Sequence, residues 1–314
     1  MATKKATKKS TAAKSASAKT TAKRTGEAKA AAEKAATTKS TVISSSRAKT
    51  RLLPDNIPNI MLAEVIGTFI LTLVAVASIA LGELFVGLTL ATMVLVIGGI
   101  SGSHINPAVT FGFWTMRKIN WATGLLYWAA QFVGALLALA VMFLLSNNTM
   151  TMNFANFATF DWAVFGAEMV AMAVFMFGLA ATVSRTGFDA TAKAMGIGMS
   201  LLLGLLVGST LLGSAKEGAY AAYQKEAEKI AQNADAKAED QPKTPHAIHV
   251  KSVVANPAVA LAATEVSESQ LMGGSSGGGE STPNRFGLEV IFATLVGAAV
   301  GGNLYLLLNR RIND

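Results

Sequence analysis

The chain has 314 residues, 52% of them hydrophobic and 15% charged, with a mean hydropathy of +0.43 and a net charge of +8. That balance excludes a soluble domain and points to a polytopic helical membrane protein. The absence of cysteine excludes a disulfide framework or thiolate metal centre and leaves the redox compartment open.

The positive charge is concentrated at the start. Residues 1–55 are a Lys/Ala/Thr/Ser tail with almost no large apolar side chain, so ordering it would cost more entropy than burial could offset, and the tail is expected to be disordered. Nothing aromatic is interleaved for base stacking, so it reads as a polybasic cytoplasmic arm rather than a nucleic-acid-binding segment, and it has no apolar core of a secretory signal.

Six apolar spans follow, at about Ile60–Ala80, Phe85–Ile100, Gly124–Leu145, Ala163–Val183, Ala194–Leu212 and Phe286–Leu308, each near the roughly 20 residues a bilayer requires. After the second span comes Ser101-Gly-Ser-His-Ile-Asn-Pro-Ala-Val-Thr110, and its Asn106-Pro107-Ala108 recurs as Asn256-Pro257-Ala258. Asn is a favoured N-cap and Pro suits the first helical position, so each triplet begins a short helix that is too short to cross alone. The cap uses the Asn oxygen and leaves the NH₂ donors to point elsewhere. A helix beginning at mid-bilayer exposes orphan N–H groups and a positive dipole end, which requires protein or a watery cavity around it.

Ala63-Glu64 opening span one is echoed by Ala167-Glu168 in span four. Three spans per unit make an inverted repeat, about residues 60–145 and 162–308, whose half-helices enter from opposite faces and meet near the midplane. The Glu64–Asn106 interval is less than half the Glu168–Asn256 interval, and the excess is an Ala/Lys/Glu-rich insertion at about 214–250, expected on the extracellular side as a solvated or amphipathic helix. Gly273–Gly279 reads as a flexible linker. Arg117, Lys118, Arg185, Lys193, Arg310 and Arg311 fall on one side of a six-span topology, while residues 146–160 carry no Lys or Arg, so both termini are expected in the cytoplasm.

These residues resemble the major intrinsic protein family, the aquaporins and glycerol facilitators. The likeness covers about Ile60–Leu308 without the insertions, and rests on Ser101–Phe111, the Glu64 and Glu168 segments, Gln131 with Gly134, and Gly297–Gly302. It implies an all-α membrane fold of six transmembrane helices plus two re-entrant half-helices, filling residues 56–312, in the cell membrane as a homotetramer. It implies a passive channel for water and small neutral solutes such as glycerol, with no enzyme activity and no cofactor or metal. Pores of aquaporin type are themselves a standard example of selectivity by lining donors and dipole ends, so this mechanism comes from the resemblance. Asn106, Pro107, Ala108, Asn256, Pro257 and Ala258 would form the paired pore motifs. Glu64 and Glu168 would be buried acceptors for the half-helix backbone, and His104 a brace of the first loop.

The family's outer constriction usually includes an Arg just after the second motif. The corresponding positions are Val86, Leu205, Val253 and Val259, all apolar, so a fixed positive charge with five donors is missing unless Arg285 or Lys251 supplies one. A gas or peroxide pore, or a non-conducting scaffold on the same fold with the insertion as its contact surface, are the alternatives. His246 and His249, in a polar loop, are expected to be solvated rather than metal ligands.

Overall fold

A computed structural model describes residues 53–145, 152–233, 242–271 and 282–313. The basic tail up to residue 52, the Gly/Ser linker and the middle of the insertion lie outside the described residues. Ten helices are described: α1 (Ile57–Leu81), α2 (Glu83–Ser101), α3 (Pro107–Thr115), α4 (Trp121–Leu145), α5 (Trp162–Ser184), α6 (Ala190–Ala231), α7 (His246–His249), α8 (Pro257–Ala260), α9 (Glu268–Leu271) and α10 (Leu288–Asn313).

Six of these, α1, α2, α4, α5, α6 and α10, are long and apolar enough to cross a bilayer. They carry no single apolar stripe, because lipid is as acceptable to Leu as the protein interior is. Leu62, Val96 and Trp162 are accordingly exposed on their surfaces. Their ends follow local chemistry. Asp161 caps α5 by accepting from Ala163 N at 2.8 Å, Asp189 caps α6 by accepting from Ala192 N at 2.7 Å, and Gly82, at φ 91°, turns the chain between α1 and α2.

The packing follows a twofold pattern. Helix α1 packs on α2 and α4, and α5 packs on α6 and α10, while α2 against α6 joins the two sets. Half-helix α3 lies against α4 and α10, and α8 against α10 and α1. Close approach is made at glycines: a side chain at Gly134 would strike the Val65 carbonyl on α1, and one at Gly297 or Gly301 the Met169 or Ala173 carbonyl on α5. The small-residue run near residue 300 therefore serves packing within the chain.

Helix α6 has 42 residues, roughly 63 Å at 1.5 Å per residue, about twice a hydrocarbon core. Its last turns, Lys216 onward, are mostly exposed and alternate Lys and Glu. The first part of the insertion is thus a continuation of a membrane helix rather than a separate element.

Candidate functional site

The site is built where the loop before α3 meets the loop before α8. In the first, Gly102 ends α2 in the left-handed region, and Ser103 and Ile105 take φ of 51° and 40°. Asn106 then returns to extended backbone and caps α3, its Oδ1 accepting from Ala108 N at 2.8 Å. The second loop repeats the device: Ala255 has φ 50°, and Asn256 caps α8 by accepting from Ala258 N at 3.0 Å and Val259 N at 3.4 Å. Left-handed backbone at Ile105 and Ala255 costs energy that the surroundings must offset.

Two buried carboxylates supply the compensation. Glu64 accepts from Ser101 Oγ (2.6 Å), His104 N (2.9 Å), Ile105 N (2.7 Å) and Gln131 Nε2 (2.8 Å). Glu168 accepts from Val254 N (3.0 Å) and Ala255 N (2.8 Å), and also from Arg285 Nη2 at 3.2 Å. Backbone donors that no helix can satisfy are thus met by charge-assisted hydrogen bonds in a dry place. His104 is stacked 4.8 Å from Phe113, with Nδ1 3.1 Å from Thr110 Oγ1.

The capping asparagines do more than cap. Asn106 Nδ2 donates to Ala255 O at 2.8 Å, and Asn256 Nδ2 donates to Ile105 O at 3.1 Å, so each half-helix is tied to the other's loop. One hydrogen of each NH₂ is committed in this way and one is left. The carbonyls that accept belong to the left-handed residues, whose conformation aims them across the junction.

Both asparagines line a cavity of about 20 Å³, roughly one water, with His104, Leu71, Phe175 and Leu201. A second cavity of about 210 Å³ lies beside it. Ala75, Val86, Val254 and Val259 line both, and Leu205 and Val253 line the larger one. The four residues expected at the constriction, Val86, Leu205, Val253 and Val259, therefore all line the larger cavity, and Val86 and Val259 stand where the cavities adjoin.

The two candidate cations part company. Lys251 lines the larger cavity, its Nζ donating to Thr264 Oγ1 at 3.1 Å; Glu83 on the same wall accepts from Ser209 Oγ at 2.9 Å. Arg285 lines neither cavity. It is buried in a charge cluster, with Nη1 2.9 Å from Glu289 Oε1 and 3.3 Å from Glu265 Oε1, besides its contact with Glu168. His246 joins the cluster, Nε2 at 3.0 Å from Glu265 Oε1 and Nδ1 at 3.6 Å from Glu289 Oε2, the latter a charge contact too long for a hydrogen bond. Burial lowers the His246 pKa, but the hydrogen bond to Glu265 and the nearby Glu289 carboxylate outweigh it and raise it to about 9. The expectation that His246 is solvated is therefore corrected: carboxylates remote in sequence surround it. His249 Nδ1 lies 2.9 Å from Val266 O.

The sequence pattern of the family described as Major intrinsic protein matches residues 56–221, more than half of the chain. The chain belongs to the major intrinsic protein family. Its members are membrane channels, not enzymes. This major intrinsic protein is 38% identical over 126 residues to "Probable aquaporin TIP3-2" of Oryza sativa subsp. japonica, covering 40% of this chain and 46% of that one. It is 35% identical over 144 residues to "Aquaporin TIP1-2" of Musa acuminata (46% and 56%), and 32% identical over 139 residues to "Aquaporin-5" of Ovis aries (43% and 52%). The chain spans about half the length of the curated relatives it matches. An X-ray structure of the aquaglyceroporin from Plasmodium falciparum aligns with 79% of this chain and 95% of its own at 17% identity and a TM-score of 0.49.

Sequence reasoning missed Glu265, Glu289 and the part-buried Asn156, whose Nδ2 donates to Glu265 Oε2 at 2.7 Å. One signal was present: Arg285, just before α10, and Glu289, in its first turn, stand four apart, the spacing of a helical ion pair. The other partners come from separate loops and leave no trace in spacing.

Proposed function

We propose that this protein is a passive channel for water and small neutral solutes, its path running through the two adjoining cavities between the half-helices. The observation that carries this reading is the pair of asparagines: each retains one amide hydrogen beside a cavity about one water in size, at the positive ends of α3 and α8. A passing water can accept from both and finds little to donate to, which breaks a proton-conducting chain. The names of the relatives, aquaporins of plant and animal, accord with the same transport class.

Val86, Leu205, Val253 and Val259 then act as an apolar collar without a donor fork. With no arginine to narrow the path or orient a solute, discrimination among neutral solutes such as water and glycerol rests on width. Lys251 on the outer wall places a cation at the mouth, where it repels cations before they reach the collar. The protein sits in the cell membrane as a homotetramer with its basic turns and both termini cytoplasmic, and needs no cofactor.

The test is stopped-flow light scattering on proteoliposomes, shrinking them in an impermeant osmolyte and following re-swelling in glycerol. Wild-type flux well above that of empty vesicles, abolished by Asn106→Asp with Asn256→Asp, is expected. Absence of flux from folded wild-type protein would overturn the channel reading in favour of a non-conducting scaffold. A Lys251→Gln variant should keep neutral flux and admit methylammonium at least several-fold faster.

A further inference from the structure

We propose that the corner between α3 and α4 is a binding site for one anionic phospholipid, its acyl chain lying in a tryptophan-walled groove and its headgroup on Arg117 and Lys118. The inference is independent of what the channel conducts.

The groove is lined by Thr110, Phe111 and Trp114 from α3 and by Trp121, Gly124, Leu125 and Trp128 from α4. The α4 members recur at four- and three-residue intervals, one face of the helix, and the α3 members sit on the facing turn. Gly124, with no side chain, and buried Thr110 form the floor of a shallow surface groove, so a chain would lie along it rather than inside a cavity. Trp114 is 42% exposed, Trp121 54% and Leu125 51%, so the walls stand out into the surroundings of the helices. Trp128 is anchored, its Nε1 donating to Pro107 O at 2.9 Å, and Trp114 is braced edge-on against Phe111 at 5.6 Å. The Nε1 groups of Trp114 and Trp121 have no acceptor among the described residues, which leaves two indole donors for ester or phosphate oxygens. Indoles prefer this depth, the boundary between hydrocarbon and headgroups.

Charge settles which lipid. The turn joining the two helices carries Arg117 and Lys118, both exposed. The turn is held by its own backbone: Arg117 takes φ 59°, its N donates to Trp114 O at 2.9 Å, and Lys118 N donates to Phe113 O at 2.8 Å. A guanidinium and an ammonium carried on this turn beside an apolar groove at headgroup depth match a phosphodiester whose tail continues into the groove. A free phosphate would leave the tryptophan walls unused.

The chain has four tryptophans, three in this groove and Trp162 elsewhere. In a Trp162→Phe background, all indole fluorescence therefore reports the groove. Protein reconstituted in phosphatidylcholine bilayers is given equal mole fractions of brominated phosphatidylglycerol or brominated phosphatidylcholine, and quenching is titrated. The expected result is an apparent affinity for the anionic lipid on the order of thirtyfold higher, the two basic residues near the surface contributing roughly 1 kcal/mol each at about 1.4 kcal/mol per tenfold. Arg117→Gln with Lys118→Gln should equalise the two lipids, and Arg117→Lys with Lys118→Arg should keep the preference. Equal quenching by both lipids in the starting protein would overturn the proposal. So would a preference that survives the glutamine pair, because the basic tail, unchanged in that variant, would then be its source.

Discussion

Replacing Arg285 by Met is the most demanding test of the buried charge cluster. The guanidinium lies within 3.3 Å of three carboxylates, those of Glu168, Glu265 and Glu289, and all four side chains are at most 2% exposed. Methionine fills comparable space but takes the guanidinium away from three buried carboxylates, leaving His246 beside Glu265 and Glu289 and only neutral backbone donors on Glu168. Breaking a buried pair by removing one partner costs about 3–5 kcal/mol, because the survivor is neither solvated nor neutralised. At about 1.4 kcal/mol per tenfold, the folded population should fall by two to more than three orders of magnitude relative to the unfolded. Equilibrium unfolding in mixed micelles, followed by circular dichroism, measures it. Arg285→Met combined with Glu289→Gln should lose less than the sum of the single losses, since the two share one contact. The penalty should also shrink as pH falls and the stranded carboxylates take up protons. A loss below about 1 kcal/mol, additive with Glu289→Gln, would refute the reasoning and mean that desolvation already cancels the attraction in the wild type.

Two further outcomes follow from the same structure. The His246 pKa rises from 6.5 to about 9 on folding, so its contribution to stability is fully present below pH 6.5 and is lost as pH climbs through 9; His246→Gln should flatten the unfolding profile across that window. Gly301→Leu should push α10 off the Ala173 carbonyl of α5 and cost several kcal/mol or abolish folding, seen as loss of the monodisperse peak in detergent, whereas Gly166→Ala, with nothing within 4 Å of its Cβ, should be tolerated.

Much of the fold could be read from composition alone, because a bilayer admits few backbone solutions and six apolar runs of the right length leave little choice. The half-helices were legible for a different reason: an Asn-Pro pair carries its own capping chemistry wherever it occurs. What spacing could not reveal was the partner of each polar group. The asparagine donors, read as free, are half committed to carbonyls in the other loop. Arg285, considered as one source of the fixed charge expected at the constriction, is consumed by Glu168, Glu265 and Glu289, while Lys251 reaches the cavity wall. These outcomes depend on which way loops of separate origin fold back, and hydrophobic periodicity says nothing about that. The length of α6 was hidden too, since Ala, Lys and Glu continue a helix as readily as they form a loose insertion.

The crossed asparagine bonds bear on the order in which the protein is made. Their partners stand 149 and 151 residues apart, nearly half the chain. During synthesis the first half-helix therefore emerges with its donor unanswered and its left-handed loop held from one side by Glu64 alone. Until Ala255 and Asn256 arrive, water is the partner available to that amide, and the N-terminal half has no route to a finished junction. The opening between the half-helices is accordingly among the last features to mature, and a chain interrupted before residue 256 would carry five of the six membrane-spanning helices without a usable centre.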